Sequence, residues 1–238
     1  MLLDSMATEG NTILGRTLPD STPYIGPLTI AAVSDIHGTW KNWDREWNAE
    51  LVILAGDICG SDIYSEQKKE MREFLSELPN FFPAAYKFVI VPGNHDFWIE
   101  RERGNRLGTG IEVLVDYEIE YEGRRIWGNP WTICGSGWAF QWTRGRREDL
   151  KMIPSGLDIL VTHDAPRFYG LRCIKESLGD YGFEEPGSLE LSETVRRVKP
   201  RIHIFGHIHK PEHRVIGETE FYNVSGYPVV IEDPGNPY

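Results

Sequence analysis

The chain has 238 residues, 40% of them hydrophobic and 26% charged, with a formal net charge of -11 at pH 7. This length suits one large domain or two small ones, with room for a substantial core. The acidic balance excludes a protein that grips duplex nucleic acid through surplus Lys and Arg, but a small phosphorylated substrate stays open, because bound cations reverse the local field.

Residues 1–27 are polar and carry Pro19, Pro23 and Pro27. They read as an extended arm ahead of a domain over 28–238. The start, MLLDSMATEG, has no basic n-region, so no secretory signal is expected. Five short apolar runs follow, each ending in a polar cluster. Leu28–Ser34 leads into Asp35-Ile36-His37-Gly38, and Leu51–Leu54 into Ala55-Gly56-Asp57. Phe88–Val91 leads into Pro92-Gly93-Asn94-His95-Asp96. Leu157–Val161 leads into Thr162-His163-Asp164, and Ile202–Phe205 into Gly206-His207-Ile208-His209. Between the runs, Ser65–Leu78 carries Met71, Phe74, Leu75 and Leu78 at helical spacing. Arg146–Met152 and Ser188–Val198 are weaker helical patterns. Val115–Tyr121 with Arg124–Trp127, and Glu212–Ile216 with Glu220–Val224, read as hairpins. Buried-looking strands interspersed with helices predict an α/β core, with the hairpins as antiparallel edges. No run approaches the ~18 apolar residues of a membrane span.

In α/β sheets, ligands bind beyond the carboxyl ends of the strands, so five such ends can bring their side chains to one place. The donors are Asp, Asn and His, which suit Mn, Fe, Zn, Co or Ni better than a thiolate-preferring metal. At i and i+2 in extended chain, Asp35 with His37 and His207 with His209 point to one side. A lone DxH or HxH is a weak signal; five stations in order, each after a strand-like run, are a strong one. The cysteines, Cys59, Cys134 and Cys173, lack CxxC spacing, so neither a disulfide framework nor a zinc ribbon is expected. A reducing, cytoplasmic setting is the simplest reading.

DxH, GD, GNHD, a single His after a strand and GHxH resemble the motifs of the calcineurin-like metallophosphoesterases. Residues 126–140, 157–166 and 193–209 are similar to the metallophosphoesterase-domain-containing subfamily of class III phosphodiesterases, which includes small cyclic-nucleotide-type enzymes. The resemblance implies an α/β sandwich of two mixed β-sheets flanked by helices, with the site at the carboxyl ends of the strands. It also implies two divalent ions, with Mn best suited to support activity. One would be held by Asp35, His37, Asp57 and His209. The other would be held by Asp57, Asn94, His163 and His207, with Asp57 as the bridge. His95 would face the phosphate and Asp96 would orient it. Two cations can bind the phosphate oxygens and an attacking hydroxide. A carboxylate suits the bridge because its two oxygens can serve two ions. His95, left over once ligands are counted, is a suitable acid for a leaving alkoxide.

The expected reaction is hydrolysis of a phosphodiester, with a cyclic nucleotide among the candidates; the alternatives are a phosphomonoesterase or a single-strand nuclease. Trp131 and Trp138 are candidate platforms for a base, against the plainer reading that Trp residues here are packing. Arg167 and Arg172, in the Gly- and Pro-rich segment 164–187, are candidate phosphate partners. Asp164 stands where the subfamily tends to have Gly. Its readings are a carboxylate close to the metals, a partner of a ligating His, or a solvent-facing side chain.

Overall fold

The computed structural model describes residues 12–13, 16–17, 26–102, 107–133, 137–142, 146–167 and 187–235. Within the expected arm, the strands β1 (Thr12–Ile13) and β2 (Arg16–Thr17) pair antiparallel. The first large sheet contains β3 (Leu28–Val33), β4 (Leu51–Leu54), β5 (Lys87–Ile90) and β6 (Ile111–Val113). The second contains β7 (Tyr117–Tyr121), β8 (Arg124–Asn129), β9 (Ile159–Thr162), β10 (Ile202–Phe205), β11 (Glu212–Ile216) and β12 (Thr219–Asn223). The last strand, β13 (Val229–Asp233), returns to the edge of the first sheet beside β3. Among the described residues the sheet orders are β13-β3-β4-β5-β6 and β11-β12-β10-β9-β8-β7. The inner strands are parallel, while β13, β7 and β11 pair antiparallel at the edges.

The two sheets face one another. Ile30, Ile53 and Val89 from one meet Ile126, Ile159, Val161 and Ile204 from the other in one buried cluster. The opposite face of the first sheet, with Val33, Val52, Leu54 and Phe88, packs on Met71, Phe74 and Leu78 of α1 (Tyr64–Phe81). The outer face of the second, with Leu160, Phe205 and Phe221, packs on Leu191, Val195 and Val198 of α3 (Leu189–Val198). Parallel strands covered on both faces bury every side chain, which is why they read as unbroken apolar runs rather than as alternation.

The expected helix over 65–78 continues through Pro79 to Phe81. Ser188 caps α3, its side chain accepting from Leu191 N. The 146–152 segment is a 3-10 helix instead of an α-helix. The β7–β8 turn places Glu122 at φ 48° and Gly123 at φ 72°, the paired left-handed conformation of a two-residue hairpin turn. The apolar pattern does not reveal β6, β13 or the short α2 (Phe97–Glu102). At 3–6 residues, these are too short to show a period. No helix among the described residues is long and apolar enough to cross a membrane.

Candidate metal centre

Because β3, β4 and β5 are parallel, their carboxyl ends share one edge, and the same holds for β9 and β10 in the facing sheet. Backbone bonds then close the loops against each other. Asp35 N donates to Gly56 O (2.9 Å), His37 N to Asp57 O (3.0 Å) and Gly38 N to Ile58 O (3.0 Å). Across the sheets, Ser34 N donates to Val224 O (2.9 Å), and His207 N donates to the Asp35 carboxylate at 3.0 and 3.1 Å.

These turns demand unusual backbone. Asp35 (φ 52°), His37 (φ 42°), Asp57 (φ 55°) and His207 (φ 64°) are four of the eight non-glycine residues with positive φ among the described residues. Left-handed conformations of this kind cluster at functional sites, where the surroundings hold them in place. Close approach sets the glycines. A Cβ on Gly56 would run into His163 Nδ1 and come within 2.7 Å of Gly93 N, and one on Gly206 would strike Ser34 Oγ and Asp35 Oδ2.

Two clusters of ligand atoms result. Those of Asp35, His37 and His209 lie within 4.8 Å of one another, as do those of Asp57, His163 and His207. Asp35 Oδ1 is 3.2 Å from His209 Nε2. Asp57 Oδ2 is 3.2 Å from His163 Nε2 and 3.8 Å from His37 Nε2, so one oxygen looks into both clusters. Its other oxygen, Oδ1, accepts the His95 N–H at 2.7 Å. Oδ2 is thus the Asp57 oxygen near both His37 and His163, while Oδ1 takes a backbone N–H. Asn94 Oδ1 sits 3.1 Å from His163 Nε2.

The donor set suits divalent transition metals. His163 Nδ1–H donates to Ala55 O at 2.8 Å, which fixes the ring and turns Nε2 toward Asp57 and Asn94. Burial opposes charge on His163, yet Asp57 and then Asp35 raise its pKa to about 10. Burial likewise opposes ionisation of Asp35, but the His209 hydrogen bond, the His163 charge and the Ser34 hydroxyl hold that carboxyl well below the usual range. His207 is pushed the other way, to about 4, by burial and then by His163. No Lys or Arg pairs with Asp35 or Asp57 among the described residues. Two buried carboxylates among nitrogen donors therefore call for positive charge that the described chain supplies only by protonating imidazoles. Divalent cations satisfy the same demand with these oxygen and nitrogen ligands.

His95 lies at the rim, its ring 4.9 Å from that of His37. Its partner differs from the one expected. Asp96 does not touch the His95 ring. Its carboxylate accepts from Asp57 N (2.9 Å), Ile58 N (3.1 Å) and Gly93 N (2.7 Å), tying the β4 and β5 loops together. Burial, followed by the Asp57 charge, raises its pKa to about 6. The group on His95 is Asp62, with Oδ1 2.8 Å from Nδ1 and the side chain 57% exposed. The sequence carries no spacing that ties Asp62 to His95, because the two come from different strand-end loops.

Trp138 and Trp131 part company. Ala139 N donates to Asn94 O (2.9 Å), which lays the 137–142 segment over the β5 loop. Trp138, 38% exposed, sits with its ring 4.3 Å from that of His95. Trp131 is a core residue instead of a substrate contact. It is buried against Phe140, and its Nε1–H donates to Asp116 Oδ2 at 2.6 Å. Asp164 is neither solvent-facing nor turned to a ligating His. It is buried and accepts from Ile133 N (3.3 Å) and Ala165 N (2.9 Å), and burial raises its pKa to about 6. Arg167 begins the segment leaving the site, its N–H on Ser188 O and its carbonyl accepting from Ser192 Oγ. Arg172, Cys134, Cys173 and the middle of 164–187 lie outside the described residues. Cys59 is a small buried side chain, as expected, its thiol pushed up by burial.

Comparisons with known proteins place the chain in a family. The family model for calcineurin-like phosphoesterases matches residues 28–211. The chain is 31% identical over 251 residues to human metallophosphoesterase domain-containing protein 1, covering 92% of this chain and 73% of that protein. It is 28% identical to a UPF0046 protein of Caenorhabditis elegans, with 87% and 71% covered. In fold it is similar to TT1561 of Thermus thermophilus (TM-score 0.55, 13% identity, 84% of this chain and 89% of that one). It is also similar to the phosphopantetheinyl hydrolase PptH of Mycobacterium tuberculosis (TM-score 0.54, 18% identity, 85% and 91% covered). The chain belongs to the calcineurin-like phosphoesterase family, phosphoester hydrolases that use divalent metals.

Proposed function

We propose that the chain hydrolyses small phosphodiesters, cyclic nucleotides among them, at a pair of divalent transition-metal ions. Asp35, His37 and His209 would hold one ion and Asn94, His163 and His207 the other, with Asp57 shared. What carries the reading is the meeting of both ligand clusters at Asp57 Oδ2, with His95 at the rim above. When bound, the ions supply charge neutralisation at the phosphoryl oxygens and a nucleophile at neutral pH. The chain's own part is positioning and proton transfer. Asp62 accepts from His95 Nδ1–H, so that the doubly protonated ring would give its Nε2 proton to the departing alkoxide and be left as the neutral Nδ1–H imidazole. The exposed Trp138 offers an aromatic face beside His95 for the second ester group, which a diester has and a monoester lacks.

Charge supports a diester preference. A monoester carries close to two charges at neutral pH and a diester one. Asp35, Asp57 and Asp62 surround the approach, on a chain of net charge -11. With Mn loaded, kcat/KM for bis(4-nitrophenyl) phosphate should exceed that for 4-nitrophenyl phosphate about tenfold, ~1.4 kcal/mol in transition-state binding. Chelation should abolish both activities and Mn should restore them. If the monoester is the better substrate, the phosphomonoesterase reading replaces this one. Full turnover in protein shown metal-free by elemental analysis would remove the metal site from the mechanism altogether.

A further inference from the structure

The buried stripe of α1 runs Gln67, Met71, Phe74, Leu78, and its first member is polar. Gln67 is fully buried (0% exposed), and a buried amide in an apolar stripe needs partners for two donors and an acceptor. It has them all. Nε2 donates to Ser61 O at 2.7 Å and to His95 O at 2.5 Å, and Oε1 accepts from Trp98 N at 2.9 Å. Ser61 precedes Asp62 in the loop after β4, whereas His95 and Trp98 belong to the loop after β5 and to α2. One amide thus joins the two loops whose side chains meet in the Asp62–His95 hydrogen bond.

Elsewhere on α1, the Tyr64 hydroxyl donates to Glu102 of α2, and two carboxylates grip the Asp62 loop. Glu70 accepts from Gly60 N (2.9 Å) and Ser61 N (3.3 Å), and Glu66 accepts from Ser61 Oγ (2.6 Å). Neither touches the His95 loop. Asp62 itself is mostly exposed and cannot be held in place by packing. The Asp96 clamp ties the two loops at Asp57, Ile58 and Gly93, the His95 N–H joins them again at Asp57 Oδ1, and Gln67 adds the tie at Ser61, next to Asp62.

We propose that Gln67 is a positioning residue: by bonding the Ser61 and His95 carbonyls together, it sets the Asp62 carboxylate against His95 Nδ1. It acts through His95 and does not touch substrate. The inference rests on the reading of His95 as the acid for the leaving group.

The test uses full-length, Mn-loaded protein and a pair of methyl aryl phosphates that differ only in the leaving phenol, 4-nitrophenol or phenol. Loss of an acid is felt mainly with the poorer leaving group. His95→Ala should slow the phenyl ester about a hundredfold and the nitrophenyl ester only a few-fold. Gln67→Met, similar in size but unable to make any of the three bonds, should slow the phenyl ester about tenfold with the nitrophenyl ester within about twofold. Asp62→Asn should show the same selectivity. The double variant His95→Ala/Gln67→Met should be no slower than His95→Ala, since both act through one group. A second readout needs neither metal nor substrate. In metal-free protein with the ring neutral, the form left once Nε2 has given up its proton, ring ¹⁵N shifts of His95 should report the Nδ1–H tautomer, and Gln67→Met should replace it with a mixture. Should Gln67→Met fail to fold, Gln67→Glu keeps the acceptor for Trp98 and loses both donors, and the same readouts apply. Equal slowing of both esters, additive losses in the double variant, or an unchanged His95 tautomer would overturn the proposal. A wild type inactive on both esters would instead overturn the phosphodiesterase reading, and the tautomer measurement would then decide the role of Gln67.

Discussion

At the amino ends of the parallel strands, Asp233 is buried between two arginines. At their carboxyl ends, Asp35 and Asp57 are buried with, among the described residues, imidazoles, backbone N–H groups and a serine hydroxyl as their partners. The Asp233 carboxylate accepts from Arg124 Nε (3.0 Å), Arg201 Nη2 (2.9 Å) and Gly235 N (3.1 Å). Arg124 also donates to Gly26 O and Glu122 O, and Arg201 reaches Asp158 at 3.2 Å. Burial works against ionised Asp233, and the Arg124 bond and its companions still hold its pKa below the usual range. This end is closed: its charges cancel within the chain, and it fastens β13, β8 and the segment before β10 together. The other end leaves its carboxylates to be balanced by something that binds. The same residue type, buried in both places, is thus a rivet in one and, in the proposed reading, a metal ligand in the other. The neighbouring cations decide which.

The comparison breaks most sharply at Asp57. Asp57→Ala should lower turnover about ten-thousandfold, ~5 kcal/mol, and remove both ions by elemental analysis. Asp35→Ala should weaken mainly one. Normal stoichiometry in Asp57→Ala would mean that Oδ2 is not shared. Next comes the closed end. Asp233→Ala removes the buried carboxylate that Arg124 and Arg201 share and should cost about 4 kcal/mol in denaturant unfolding. Metal content of the folded fraction should be unchanged. Altered metal affinity there would show that the two ends are coupled.

A third experiment separates the candidate ligand histidines from a buried histidine outside both clusters. His203 lies on the outer face of β10, its Nε2 2.9 Å from Thr162 Oγ1, and burial lowers its pKa to about 3. Because the folded pKa lies below the unfolded value of 6.5, the unfolded chain takes up the proton first, and stability falls as pH drops through 6.5 toward 3. Between pH 7 and pH 5, His203→Gln should lose ~2 kcal/mol less than wild type, both measured metal-free. An equal loss would put the acid sensitivity in the ligand histidines alone. The smallest effect expected is at Asp164. With its carboxylate on Ile133 N and Ala165 N, Asp164→Gly should reduce stability by ~1.5 kcal/mol. The ratio of diester to monoester turnover should stay within about twofold of wild type. A large shift in that ratio would return Asp164 to the substrate.

Much of the site is legible in the amino-acid sequence, because its residues sit immediately after the apolar runs that form β3, β4, β5, β9 and β10. Strand and candidate ligand are neighbours along the chain; parallel pairing gathers three ends in one sheet and two in the other, and the packing of the sheets brings the two groups together. The α1 and α3 periods and both hairpins, with the antiparallel edges they form, are legible for the same local reason. Asp62 and Gln67 are not, since what makes them matter is a contact across loops: Asp62 meets His95 33 residues away, and Gln67 reaches back 6 residues and forward 28. Proximity in sequence favours Asp96 as the partner of His95, but the turn of the GNHD loop aims Asp96 at backbone N–H groups instead.

The sequence by itself determined the α/β class, the family and the candidate ligands, because these depend on residue type, short spacing and the ends of buried strands. Only the tertiary structure decided which oxygen of Asp57 faces both clusters, which carboxylate partners His95, and which tryptophan faces solvent and which is core. Those outcomes turn on ångström-scale distances between loops from different strands, which short spacing in the chain does not encode.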